Sequence, residues 1–354
     1  MSNTGKVRMA IVGCGGIARG HHLPSFSKDP RVEWVVACDI VERRAQRACE
    51  EFGVPHAETD FREALDKYEL DAVTVCTSND AHAPVSIYAA QKGLHVMCEK
   101  PLALNLAEAE AMLEAVEKAG VVHMIDLSKR FPGHTRWVKA KLDAGEFGRI
   151  FSVVIDYYQG YRADPNCPIA WRLKKAKAGS GVLGDLGSHA MDLVRFWAGE
   201  PTRVMGYTKT LYDTRPAEDG SGMESVDCDD LAWVVGETDR GIPYSMRTTW
   251  NRVGTGDHLA AEIHTEKGTL LWRMHSPSSV QLLTSGGGWA SGAAAEIEVP
   301  AGYDLNPFRM FIDHCISGEQ APESTFDDGA KVQHILEVVL RQQDMAGFPA
   351  STLK

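Results

Sequence analysis

From Val7 to Ile125, short apolar runs alternate with longer segments of helical spacing. Arg8 to Val12, Val32 to Ala37, Ala72 to Cys76, His95 to Cys98 and Val121 to Ile125 have the length and content of strands. Between them, Ile17 to Ser27, Glu42 to Phe52, His82 to Lys92 and Leu106 to Ala119 carry apolar positions at helical spacing. Asn105 reads as the cap of the last helix, with Glu108 and Glu110 in a first turn that favours negative charge. Strands separated in this way predict an α/β domain over residues 1–128, a parallel sheet with crossover helices.

After Phe131 the pattern changes. A helix near His134 to Leu142 leads through Gly148 to strand-like segments at Ile150 to Tyr158, Arg203 to Leu211, Asp230 to Glu237, Pro243 to Trp250, Leu259 to Thr265 and Thr269 to Trp272. The turn sequences Thr238-Asp239-Arg240-Gly241 and Glu266-Lys267-Gly268 suit hairpins, hence antiparallel pairing. Helices near Ser188 to Trp197, Phe308 to Ile316 and Asp328 to Gln343 complete an α+β domain over 129–354, with a large, mostly antiparallel, open-faced sheet. Gly-rich Ser285 to Ala295 reads as a loose loop or hairpin tip. Too few helices remain to cover both sheet faces, while the strands carry Trp233, Tyr244, Trp250 and Trp272. An exposed aromatic face predicts a homodimer or homotetramer formed through this sheet.

A length of 354 residues exceeds one typical core, in keeping with two domains. Hydrophobic residues at 44% and charged residues at 24% suit a soluble globular protein. A net charge of −11 argues against nucleic acid or an anionic membrane as partner through bulk electrostatics. No leader-like apolar segment precedes the first strand, and no run of about 18 apolar residues occurs, so the expectation is a cytoplasmic protein. The cysteines at 14, 38, 49, 76, 98, 167, 228 and 315 form no C-x-x-C pair and no His-rich ligand spacing, which predicts free thiols and no metal.

Gly13-Cys14-Gly15-Gly16-Ile17-Ala18 joins the first strand to the first helix and matches G-x-G-x-x-A, the loop of a Rossmann-type dinucleotide site. Gly13 permits the tight turn, Gly15 lets the backbone approach a pyrophosphate at the helix amino terminus, and Ala18 replaces the last glycine in close helix packing. Gly16 and Ile17 complete the loop. Asp39 ends the second strand about 20 residues on, where an acid accepts the adenosine ribose hydroxyls. Because that acid repels a 2′-phosphate, NAD is expected over NADP. Arg43 and Arg44 follow one turn later, reaching either the ribose or solvent. Thr77, Ser78 and Asn79 close the strand that ends at Cys76, with His82 in the next turn, placed for ribose or pyrophosphate; helix capping explains Asn79 equally well. Glu99-Lys100-Pro101 ends the run Leu94 to Cys98. A lysine closing a parallel strand projects into the crevice where such sheets bind ligands, and Pro101 has no N–H to extend the ladder.

These residues resemble the Gfo/Idh/MocA family, the glucose-fructose oxidoreductase, inositol dehydrogenase and rhizopine-catabolism oxidoreductases. The resemblance covers nearly the whole chain. It rests on Gly13-x-Gly15-x-x-Ala18, Glu99-Lys100-Pro101, Lys129-Arg130-Phe131, Trp171-Arg172 and the block from Gly179 to His189. It implies that Asp185 and His189 meet Lys100 at the substrate, with Glu99 and Lys100 also bordering the cofactor. Ser180 interrupts a run that is Gly-Gly-Gly in related chains, and Ser128 stands where they often carry asparagine.

The chemistry asks for the same residue types. Removing hydride from a secondary alcohol requires loss of its hydroxyl proton, and an imidazole such as His189 is the natural base near neutrality. Asp185 can orient that ring, and Lys100 can donate to the oxygen where negative charge develops. The proton-handling roles of Lys100 and His189 are interchangeable at this level. Tyr157, Tyr158, Gln159, Tyr161, Arg162, Trp171 and Arg172, with Arg130, offer aromatic faces and donors suited to a sugar or cyclitol. The expected activity is NAD-dependent oxidation of a secondary hydroxyl on a sugar, sugar derivative or inositol-like cyclitol to a ketone or lactone. The alternatives are a redox-neutral enzyme that recycles NAD during glycoside cleavage, elimination or epimerisation, and a non-catalytic regulator that senses NAD or sugar.

Overall fold

The computed structural model describes residues 5–288 and 291–342. The chain divides into two compact units. One takes residues up to Ser128 together with Ala176–Gly179 and Leu305–Gln333; the other takes Lys129–Lys175, Ser180–Asp304 and residues from His334 onward.

The first unit is a six-stranded parallel sheet: β1 (Val7–Val12), β2 (Val32–Cys38), β3 (His56–Glu58), β4 (Ala72–Val75), β5 (His95–Cys98) and β6 (His123–Ile125), in the order β3-β2-β1-β4-β5-β6. Strand order reverses between β1 and β4, which opens the crevice at their carboxyl ends. Both strands are almost wholly buried, which explains their continuous apolar runs. The three-residue β3 and the helix Phe61–Lys67, capped by Asp60, are too short to register in a periodicity. The expected Ile17 to Ser27 helix is a wide π-type turn, Ala18–His22, running into Leu23–Phe26, and it buries His22 completely. The segment returning at Leu305 seals the β6 edge. Ser324 accepts the Ile125 N–H at 2.8 Å, and Gln320 donates to the His123 carbonyl at 2.7 Å.

The second unit holds an eight-stranded sheet formed by β7 (Ile150–Tyr158), β8 (Pro201–Lys209), β11 (Leu231–Thr238), β12 (Pro243–Thr249), β13 (His258–Thr265), β14 (Gly268–Arg273), β15 (Ser279–Gly288) and β16 (Ser291–Glu298), with β9 (Thr214–Pro216) and β10 (Met223–Ser225) pairing apart. Every pairing in the large sheet is antiparallel except β7 with β12. The Gly-rich piece is the tip of the β15–β16 hairpin, with residues 289–290 outside the described ones. Helix Ser188–Ala198 packs on β7 and β12, and helix Gly133–Asp143 packs on that helix.

Side-chain alternation corrects the expected aromatic face. Tyr244, Trp250 and Trp272 are core residues; Trp272 lies under Trp197 and His134, with ring centroids 5.4 and 4.8 Å away. Trp233 has the opposite parity and is 54% exposed. Its cross-strand neighbour Tyr207 is 52% exposed, and the next outward pair, Val235 and Met205, is 51% and 67% exposed. All eight cysteines are free, and no helix among the described residues is long and apolar enough to cross a membrane.

Burial pushes His123 and His134 down to about 4. The ordinary histidine value is about 6.5, so between these limits the unfolded chain binds protons that the folded chain refuses. Stability is therefore whole above pH ~6.5 and declines toward pH ~4, by up to ~1.4 kcal/mol per pH unit for each histidine. Urea unfolding at pH 7, 5.5 and 4.5 should show the decline, and His134→Phe, which keeps the stack on Trp272, should reduce the slope by about one proton.

Candidate active site

The first unit builds a dinucleotide cradle from the β1 terminus. Gly13 has φ of 91°, and a Cβ there would stand 2.5 Å from the Cys76 carbonyl carbon, so only glycine fits. Nothing lies within 4 Å of where a Cβ on Gly15 or Gly16 would point, which leaves their backbone open to a pyrophosphate. Ile17 is exposed, while Ala18 is fully buried in the helix packing. Asp39 accepts the Cys14 N–H and the Val41 N–H, each at 2.8 Å, one on each carboxylate oxygen. Each oxygen keeps a lone pair that can accept a ribose hydroxyl. These residues fit NAD. Arg43 is exposed on its helix.

In the neighbouring loop the side chains meet the protein's own backbone. Thr77 Oγ1 donates to the Ser78 carbonyl at 3.0 Å, and Asn79 donates to the Ala178 carbonyl at 2.9 Å instead of capping. His82 is buried, with Nδ1 2.9 Å from the Pro101 carbonyl oxygen. Burial lowers its pKa, so it is a neutral donor to that carbonyl.

Glu99 is buried, and one of its oxygens accepts the Lys100 N–H at 3.1 Å. The other lies 2.8 Å from His22 Nε2, while His22 Nδ1 is 2.7 Å from Thr74 Oγ1. Asp126 stands behind, 3.5 Å from His22 Nε2 and 3.1 Å from His21 Nε2. Burial opposes a charge on His22, but Cys76, Asp126 and Glu99 outweigh it and hold its pKa well above the usual value. Burial likewise opposes the Asp126 carboxylate, and hydrogen bonds from His21 and His22 hold its pKa well below the usual range. Ligating atoms of His22, Glu99 and Asp126 lie within 4.8 Å of one another, a spacing compatible with a metal ion. The 2.8 Å contact has the length of a charge-assisted hydrogen bond, so a proton suffices to hold it. His22 and Asp126 carried no sequence signal except polar residues set against apolar elements.

In the second unit, the block Gly179 to His189 forms a wide turn, Leu183–Gly187, leading into helix Ser188–Ala198. Asp229 fixes its start: its carboxylate accepts the Gly181 and Leu183 N–H groups, each at 2.7 Å, and its carbonyl accepts that of Val182 at 2.9 Å. A Cβ on Gly181 would stand 2.0 Å from the Asp229 carbonyl oxygen. Asp229 was not anticipated, because its partners lie more than 40 residues away, 46 in the case of Leu183.

Asp185, on that turn, has Oδ1 3.5 Å from Arg172 Nε, and the Arg172 guanidinium lies 4.4 Å over the Trp171 ring. His189 is buried with its ring 6.3 Å from Tyr157. Burial raises the pKa of Tyr157, reinforced by Asp257 and Asp185, and that of Tyr161, reinforced by Asp185. Buried Arg162 lies 5.0 Å over the Tyr161 ring. Two expected substrate residues, Tyr158 and Arg130, lie apart from this group, while Gln159 meets the Asp257 that acts on Tyr157. Strand alternation puts Tyr158 on the face opposite Tyr157, stacked with His258 at 6.1 Å and covered by Arg252 at 4.6 Å. Gln159 donates to Asp257 at 2.8 Å on the surface. Arg130 is buried in an ion pair with Asp192, with Nε 2.9 Å from Oδ2.

Comparison with known proteins agrees with both halves. Residues 7–127 match the model described as "Oxidoreductase family, NAD-binding Rossmann fold", and residues 135–271 match the "GFO/IDH/MocA C-terminal domain". A levoglucosan dehydrogenase of Pseudarthrobacter phenanthrenivorans is 30% identical over 78% of this chain and 76% of its own. The scyllo-inositol 2-dehydrogenase (NAD(+)) of Bacillus subtilis is 28% identical over 71% of this chain and 72% of its own. The solved structure of a levoglucosan dehydrogenase in complex with NADH and L-sorbose superposes with a TM-score of 0.88 at 26% identity, covering 96% of this chain and 97% of that one.

Gly181→Ala should break the seam with Asp229, because backbone faces the new methyl and cannot yield as a side chain would. The expected loss is about 3 kcal/mol or more in urea unfolding. A loss below about 1 kcal/mol would show that the turn tolerates displacement.

Proposed function

The chain belongs to the Gfo/Idh/MocA family of oxidoreductases, and on that premise we propose that it is an NAD-dependent dehydrogenase that oxidises a secondary hydroxyl of a sugar, sugar derivative or inositol-like cyclitol to a ketone or lactone. The observation that carries this reading is the group formed by Asp185, His189, Arg172, Trp171, Tyr157 and Tyr161 in the second unit: a base, a carboxylate, a guanidinium and aromatic faces. Such a set suits a polyhydroxylated ring.

Bound NAD would accept the hydride. Gly13, Gly15 and Gly16, with Ile17 and Ala18 opening the helix, hold its pyrophosphate, and Asp39 holds the adenosine ribose and disfavours a 2′-phosphate. Lys100 donates to the substrate oxygen as negative charge develops, and His189 takes the hydroxyl proton, with Asp185 setting its orientation. Arg172 donates to ring hydroxyls beside the Trp171 face. Names of relatives direct the substrate panel: levoglucosan, inositols, then other sugars and sugar acids.

Lys100→Met and His189→Ala should each fold and bind NAD while losing at least about 10²-fold in turnover, followed by NADH absorbance. Near-normal rates in either variant would sink these assignments. NADH should accumulate in step with substrate loss; substrate consumption without it would favour the redox-neutral alternative. More efficient turnover with NADP than with NAD would overturn the role of Asp39.

The outward quartet Met205, Tyr207, Trp233 and Val235 supports a second proposal, that another copy of the chain covers this sheet face as a homodimer or homotetramer. Trp233→Glu should lower the sedimentation mass to that of one chain without unfolding it. An unchanged mass would place the interface elsewhere or show a native monomer.

A further inference from the structure

We propose that His22 and His82 are positioning residues for Lys100: they grip the residues on either side of it, His22 through the Glu99 carboxylate and His82 through the Pro101 carbonyl. This rests on the reading of Lys100 as donor to the reacting oxygen. Both imidazoles are fully buried, where an apolar side chain would fill the space without a polar group to satisfy. Each is instead committed to the strand-end turn. His22 bridges Thr74 Oγ1 in β4, at 2.7 Å, and Glu99 at the end of β5, at 2.8 Å. The second Glu99 oxygen then accepts the Lys100 main-chain N–H at 3.1 Å, so the carboxylate transmits the position of His22 to the backbone that aims the lysine. On the other flank, His82 Nδ1 holds the Pro101 carbonyl at 2.9 Å.

His22 also closes the wide turn Ala18–His22, which continues the dinucleotide loop. The imidazole and the carboxylate it bonds both lie within the first unit. Asp126 and His21 complete the surroundings: Asp126 faces both histidines and balances the charge that Glu99 shares. A displacement of a donor by about 1 Å costs on the order of 10²-fold in rate, so a clamp of this kind has catalytic leverage without touching substrate.

A double-mutant cycle separates positioning from simple support. His22→Leu should lower kcat by about 30-fold or more while the Kd for NAD stays within about threefold, and His22→Gln, which keeps an N–H for Glu99, should recover most of the loss. In the Lys100→Met background, His22→Leu should cost little further, because the group it positions is gone. His82→Phe, which loses the hydrogen bond to the Pro101 carbonyl, runs through the same cycle and carries the test where His22→Leu does not fold. Equal multiplicative losses in both backgrounds, or unchanged kcat in every His22 and His82 variant, would overturn the proposal while leaving Lys100 in place. Near-normal turnover by Lys100→Met alone would overturn the reading of Lys100, and this proposal with it.

Discussion

A buried carboxylate must be bonded or it takes up a proton, and this chain turns that constraint into a way of fixing its loops. Asp39 holds the glycine loop by the Cys14 N–H, Glu99 holds the lysine turn by the Lys100 N–H, and Asp229 holds the Asp185 turn by two N–H groups. In each case the acid bonds backbone, leaving side chains on the loop to meet a ligand. Because main-chain N–H groups occur in any sequence, the specificity lies in where the acids sit. The glycines follow from the same contacts: Gly13 and Gly181 stand where backbone approaches too closely for a Cβ.

What was legible in the sequence is what repeats locally. Buried parallel strands leave apolar runs, and the glycine loop and Lys100 follow from their place at strand ends, so the first unit could be outlined from spacing. The second sheet was legible as alternation, but alternation does not say which parity faces the helices. That single undetermined choice separates Tyr157, beside His189, from Tyr158, on the opposite face, and Trp233 from the buried Trp272. Pairings distant in sequence were not legible. His22 meets Glu99 across 77 residues and Arg130 meets Asp192 across 62, and no pattern of period two or 3.6 encodes either. The family resemblance marked Arg130 and the glycine block without indicating that one is an ion-pair partner in the core and the other a seam for Asp229.

The division of labour among the groups around Asp185 follows from their surroundings. Burial, together with the Asp257 and Asp185 charges, pushes the Tyr157 hydroxyl up, and burial with Asp185 does the same for Tyr161, so both stay protonated near neutrality and can donate. Arg172 stands over Asp185, with Nε 3.5 Å from Oδ1. An imidazole is the side chain in this group whose ordinary pKa allows it to gain and lose a proton across neutral pH. With the phenols holding their protons, His189 is the group to which the proposed function gives proton removal. The raised Tyr157 then keeps a hydrogen-bond donor beside that ring instead of competing for the proton.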